Sequence, residues 1–118
     1  ALGVLLDRGS EGPALIVAPT SVGGNWVRET ERFAPRLKPH LYREHDRQQL
    51  IERAGPNDLV IVSYQLLQRD VEFFASRKWH TLVLDEAQFI KNYQTKTSQA
   101  VRRLETDWQI ALSGTPLE

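Results

Sequence analysis

Short apolar runs alternate along this chain with longer amphipathic stretches, and few folds satisfy that alternation other than a parallel sheet with helices packed on its faces. Four runs read as strands buried on both faces, at residues 14–18, 59–63, 81–84 and 109–112. Each is rich in Val, Ile and Leu and too short for a helix. A weaker fifth candidate lies at residues 40–42. Residues 23–34 place Trp26, Thr30 and Phe33 on one helical face with Arg28, Glu31 and Arg32 elsewhere, and Pro35 ends the pattern. Residues 46–54 make a short helix, with Asp46 as N-cap and Gly55-Pro56 as its stop. Helical stretches at 64–76 and 93–104 complete the set. The expected class is α/β, a three-layer parallel sheet flanked by helices. With short connections and no repeat or linker, 118 residues are one piece of one domain.

Composition narrows the function. The 15 Lys and Arg balance the 15 Asp and Glu, so no global field draws the chain onto nucleic acid, and any such contact must be local. The chain contains no Cys, which removes disulfides, thiolate zinc sites and thiol nucleophiles. His40, His45 and His80 lack paired-ligand spacing. No apolar run approaches the roughly 18 residues that span a bilayer, so no membrane association is expected. Ala1 is not an initiator Met, and the chain is expected to be part of a longer one.

Polar loops follow the apolar runs. Asp85-Glu86-Ala87-Gln88 comes directly after Leu82-Val83-Leu84, which puts two carboxylates at the carboxyl end of a buried parallel strand, where open α/β sheets bind ligands. In phosphoryl transfer one such acid holds Mg²⁺ and the other orients or deprotonates the attacking water. Adjacent acids after a strand are also a common solvated turn. Ser113-Gly114-Thr115-Pro116 follows the run at 109–112 and could hydrogen-bond those acids, or simply turn the chain. Pro19-Thr20-Ser21 follows the first run, and its hydroxyls suit either a phosphate oxygen or the capping of the next helix. Ser63-Tyr64-Gln65 repeats the pattern. Residues 87–104 carry Lys91, Lys96, Arg102 and Arg103 and no acid, a stretch able to track a phosphate backbone or to form a solvated helix face.

In this order the motifs resemble the first RecA-like lobe of superfamily 2 helicase-like ATPases, of the P-loop NTPase type, and specifically the Swi/Snf-related group. Asp85-Glu86-Ala87-Gln88 with Phe89-Ile90-Lys91-Asn92 resembles motif II and its extension, and residues 112–118 resemble motif III. Pro19-Thr20-Ser21 with Asn25-Trp26 and Glu29 resembles motif Ia, and Ser63-Tyr64-Gln65-Leu66-Leu67 resembles motif Ib. The resemblance implies an ATP-dependent double-stranded DNA translocase that remodels protein–DNA complexes. Asp85 would hold Mg²⁺ on the ATP phosphates, and Glu86 would activate water. Gln88, Ser113, Gly114, Thr115 and Pro116 would couple nucleotide state to DNA grip. Pro19, Thr20, Ser21, Ser63 and Tyr64 would touch the DNA backbone, with Lys91 and Asn92 near that groove. A strand-separating DNA or RNA helicase, or an inactive nucleic-acid-binding lobe, are the alternatives.

One element of the family pattern does not occur: no Gly-Lys-Thr or Gly-Lys-Ser phosphate loop lies anywhere in the 118 residues. The resemblance therefore implies a partial lobe, residues 1–118, starting after that loop, with Ala1-Leu2-Gly3-Val4-Leu5-Leu6 as the last turns of the helix beyond it. It implies a second RecA-like lobe of the same chain as partner, no ATPase activity for the 118 residues alone, and an open edge at the strand at 109–112. Gln88 resembles bacterial and archaeal members, which implies a nucleoid-associated cytoplasmic location. A eukaryotic source would imply the nucleus.

Overall fold

The computed structural model describes residues 11–42, 47–85 and 96–112. Its strands are β1 (Ala14–Ala18), β2 (Lys38–Leu41), β3 (Asp58–Ser63), β4 (Lys78–Leu84) and β5 (Glu105–Ala111). They form a five-stranded sheet in the order β2-β3-β1-β4-β5, and every pairing is parallel. The helices are α1 (Gly23–Phe33), α2 (Arg47–Arg53), α3 (Tyr64–Arg69), α4 (Val71–Ala75) and α5 (Lys96–Arg102), with a 3₁₀ turn at Thr20–Val22 before α1.

Alternation along the central strands divides the interior in two, because successive side chains leave opposite faces of a sheet. Leu15, Val17, Val60, Val62, Leu82 and Leu84 point to one side, where they pack with Ile51, Leu67, Phe74, Trp79 and Ala100 from α2 to α5 and from β4. Ala14, Ile16, Leu59, Ile61 and Val83 point to the other, onto Ala34, Leu37 and the α1 side chains Trp26 and Val27. Both faces of β1 are thus covered, and all five of its residues are buried. This is the three-layer arrangement expected from the sequence.

Several boundaries differ from expectation. β4 starts at Lys78, three residues before the apolar run, because its amino end alternates exposed Lys78, buried Trp79 and half-buried His80. β5 starts at Glu105 and is not buried on both faces. It alternates exposed with half-buried residues and has β4 as its one neighbour among the described residues, so it reads as a polar edge strand rather than an apolar run. The stretch at 64–76 is two helices. Asp70 breaks it with φ −111° and ψ 28°, and its carboxylate is drawn inside, 6% exposed, to accept from the Tyr42 hydroxyl at 2.9 Å. Phe33 is 57% exposed and does not share the buried face of Trp26 and Thr30. Ala34 and Leu37 fill that position instead, on a turn in which the Leu37 N–H donates to the Ala34 carbonyl at 2.9 Å. Asp46, residues 93–95 and the helix expected at residues 1–6 lie outside the described residues.

Candidate functional site

In a parallel sheet every strand ends on the same edge, so the loops that follow them meet there. Register makes this specific: Ala18 pairs with Ser63, and Val17 pairs with Leu84. Pro19-Thr20 after β1, Ser63-Tyr64 at the junction of β3 with α3, and Asp85 after β4 therefore leave the sheet side by side. The Leu112 N–H donates to the Leu84 carbonyl at 2.8 Å, which brings the end of β5 to the same edge.

Asp85 is half-buried, and each of its backbone and side-chain groups is held from a neighbouring element. Its N–H donates to the Val17 carbonyl at 2.8 Å, in continuation of the β1–β4 ladder. Its Oδ2 accepts from the Trp26 indole Nε1–H at 2.8 Å. Its carbonyl accepts from the Tyr64 hydroxyl at 2.6 Å. Among the described residues no three His, Asp or Glu side chains gather as a metal cage. A carboxylate at the sheet edge nevertheless suits Mg²⁺, which takes one or two protein carboxylates and completes its shell with phosphate oxygens and water.

At the same edge, over the ends of β1, β3 and β2, lies a cleft of about 320 Å³ whose walls include Pro19, Thr20, Gly23, Tyr42, Ser63 and Gln65; Asp85, at the end of β4 on the other side of β1, is not part of its lining. Gly23 opens α1 close against the sheet, and a Cβ there would sit 3.1 Å from Leu41 Cδ2. The two hydroxyl loops differ. Ser63 is the N-cap of α3, its Oγ accepting from the Leu66 N–H at 3.1 Å, so it combines capping with a place on the cleft wall. The N-cap positions of the 3₁₀ turn and of α1 are Pro19 and Val22, whose side chains hold no acceptor. Thr20 is exposed on the cleft wall. Tyr64 is buried, 4% exposed, with its hydroxyl turned inward to Asp85 rather than outward.

The structure thus brings together Asp85, Pro19, Thr20, Ser63 and Tyr64. Of Ser21 only the backbone, in the 3₁₀ turn, is described, and Glu86, Gln88, Lys91, Asn92, Ser113, Gly114, Thr115 and Pro116 lie outside the described residues. Trp26 was expected as a core residue. Its indole is that in part, packing against the cluster that contains Ile16 and Val83, but its N–H serves Asp85. The Asn25-Trp26 pair was the signal available in the sequence; its partner, 59 positions along the chain, was not.

A model of the SNF2-related domain matches residues 4–118. YwqA of Bacillus subtilis is 47% identical over 109 residues, covering 90% of this chain and 12% of that protein. Helicase SWR1 of Candida glabrata is 44% identical over 117 residues, covering 95% of this chain and 8% of that protein. The solved Sulfolobus solfataricus SWI2/SNF2 ATPase core in complex with double-stranded DNA superposes with a TM-score of 0.80 at 36% identity, over 97% of this chain and 24% of that one. The parallel sheet and its helices match the RecA-like fold of that core. The chain spans only a small part of the length of these relatives.

Proposed function

The chain belongs to the SNF2-related domain family, and from this we infer that the whole protein is an ATP-driven translocase on double-stranded DNA that remodels protein–DNA complexes. The observation that carries the reading is the convergence, on one sheet edge, of Asp85 with the loops at Pro19-Thr20 and Ser63-Tyr64. A phosphate-bearing ligand in the cleft and an acid poised for phosphoryl chemistry are then neighbours. The solved relative bound to double-stranded DNA supports the choice of ligand.

In this reading Asp85 holds Mg²⁺ together with ATP, and residues 1–118 are part of the first RecA-like lobe. When bound there, the ion would supply neutralisation of charge on the phosphates. The Trp26 N–H turns the Asp85 carboxylate toward α1, donating to its Oδ2, since an indole donates and cannot accept. Glu86 orients and deprotonates the attacking water. Gln88 and Ser113, Gly114, Thr115 and Pro116 relay the nucleotide state to the DNA grip. Thr20, with Pro19, Ser21, Ser63 and the backbone around Tyr64, contacts the phosphate backbone of one strand, and Lys91 and Asn92 lie near the same groove. A second RecA-like lobe of the same protein completes the site. The protein works on the genome of its host, at the nucleoid in a prokaryote and in the nucleus in a eukaryote.

The test uses the full-length protein. Duplex DNA should stimulate ATP hydrolysis, a triplex-forming strand should be displaced, and the duplex should not be separated. Glu86→Gln should abolish turnover and leave duplex binding intact. Strand separation would favour a conventional helicase, and unchanged turnover in Glu86→Gln would favour a non-catalytic binding lobe.

A further inference from the structure

Three hydrogen bonds on Asp85, with Trp26, Tyr64 and Val17, involve segments that also line or adjoin the cleft. Trp26 lies one turn of α1 beyond Gly23, which is on the cleft wall. Tyr64 stands between Ser63 and Gln65, both on the wall, and Val17 precedes Ala18, also on the wall. We propose that Trp26 and Tyr64 form a two-point linkage through which the ligand in the cleft sets the position of Asp85, with Trp26 acting as a positioning residue for the acid. The proposal rests on the reading of the cleft as a duplex DNA site and of Asp85 as the acid that holds Mg²⁺.

Packing alone does not account for the indole at position 26. The cluster it packs against, Ile16, Ile61 and Val83 among its members, is aliphatic and offers the indole N–H no acceptor side chain. What only Trp adds is the N–H, and that N–H meets Oδ2 at 2.8 Å, a charge-assisted hydrogen bond of the stronger kind. On the other side the Tyr64 hydroxyl meets the Asp85 carbonyl at 2.6 Å from a ring that is 4% exposed, so water cannot readily replace it. The two bonds come from the helices that follow β1 and β3, and reach the side chain and the main chain of one residue. Close-packed interiors transmit small displacements rather than absorbing them. A duplex that seats against Thr20 and Ser63 and shifts the start of α1 or α3 therefore turns the carboxylate or moves the strand end that bears it.

The experiment compares the full-length wild type with Trp26→Phe and Tyr64→Phe. The first removes the indole N–H and keeps an aromatic ring; the second removes one oxygen atom. The readouts are the ratio of turnover at saturating duplex DNA to turnover without DNA, the Mg²⁺ concentration at half-maximal turnover, and, for Trp26→Phe, duplex affinity by fluorescence anisotropy. Loss of one charge-assisted hydrogen bond predicts that Trp26→Phe lowers the stimulation ratio by about fivefold or more and raises the half-saturating Mg²⁺ by about threefold, with duplex affinity within about twofold. Tyr64→Phe should lower the ratio as well. A purely structural role would lower both turnovers together with the melting temperature and leave the ratio and the Mg²⁺ dependence in place. Ratios within about twofold of a stimulated wild type in both variants overturn the linkage and spare the translocase reading. A wild type that duplex DNA does not stimulate overturns both.

Discussion

Replacing Tyr42 with Phe removes one oxygen atom from the interior and leaves the packing around it in place. The Tyr42 ring is 4% exposed and lies 4.7 Å from the Phe74 ring, centroid to centroid, a contact that Phe retains. The hydroxyl donates to Asp70 Oδ2 at 2.9 Å. Asp70 sits at the break between α3 and α4 and also accepts from Arg69, at 3.2 Å from Nε and 3.0 Å from Nη2. A hydrogen bond to a charged group contributes about 1.5–3 kcal/mol. Because Arg69 still reaches the carboxylate in the variant, the expected cost lies near the lower end, about 1.5 kcal/mol. With a urea slope of about 1–3 kcal/mol/M, the unfolding midpoint should fall by about 0.5–1.5 M with the slope unchanged. Unfolding can be followed through Trp79, whose ring is 6.2 Å from Phe74. A double-mutant cycle with Asp70→Asn should show a coupling of about 1 kcal/mol. An unmoved midpoint, or additivity in the cycle, would show that the α3–α4 break is held by ring packing and not by this bond.

Four further outcomes can be checked by thermal or chemical unfolding. A Cβ at Gly12 would lie 2.8 Å from the Cβ of His80, the root of a strand side chain that cannot swing away, so Gly12→Ala should cost about 1–3 kcal/mol; an unchanged melting temperature would refute that contact. Asn57 has φ 69°, and its buried Oδ1 lacks a partner among the described residues; Asn57→Gly relieves both and should be neutral or stabilising by up to about 1 kcal/mol, and a clear loss counts against the argument. Arg77 Nη1 donates to the Ile51 and Ala54 carbonyls at 2.8 and 2.6 Å while its guanidinium lies 5.4 Å from the Trp79 ring centroid; Arg77→Ala should cost about 2–3 kcal/mol and Arg77→Lys less, and equal losses would mean that the fork geometry is irrelevant. The hydrogen bond and charge of Asp107 raise the pKa of exposed Lys78 above its ordinary 10.5. Because the folded value is the higher one, the stabilisation is fully present below pH 10.5 and fades as pH rises through the folded value. Above neutrality the melting temperatures of the wild type and Asp107→Asn should therefore converge only at strongly alkaline pH, and convergence near neutrality would refute the assignment.

Legibility in the sequence followed burial. β1 matched its apolar run end to end, and β3 differed by one residue, because strands covered on both faces must be apolar at every position. The amino ends of β4 and β5 were hidden because Lys78 and Glu105, and the alternation after them, face solvent on one side. The break at Asp70 carried no Gly or Pro. The Tyr42 hydroxyl, 28 positions earlier, together with the adjacent Arg69 guanidinium, holds the acid turned inward at that point. Phe33 was misplaced for a related reason: helical period gives a face, but not how far along the helix the core beneath it extends.

The site divides along the same line. Asp85 and the loops at Pro19-Thr20 and Ser63-Tyr64 were legible because a polar group directly after a buried parallel strand has one place to go, the carboxyl edge. Which of these groups touch was not legible, since that depends on how α1 and α3 lie over the sheet. Tyr64 shows the consequence. Its place in the motif pointed to a nucleic acid backbone, and what the motif did not reveal is that its hydroxyl donates to the Asp85 carbonyl. Trp26 shows the converse, since an indole satisfies a core-packing pattern with its ring while its one polar atom does separate work. For both residues, then, sequence pattern identifies the element and the polar atom decides the role. For that reason Trp26→Phe and Tyr64→Phe, each of which keeps an aromatic ring and removes one polar group, test the linkage more directly than truncation to Ala, which would change packing and hydrogen bonding at once.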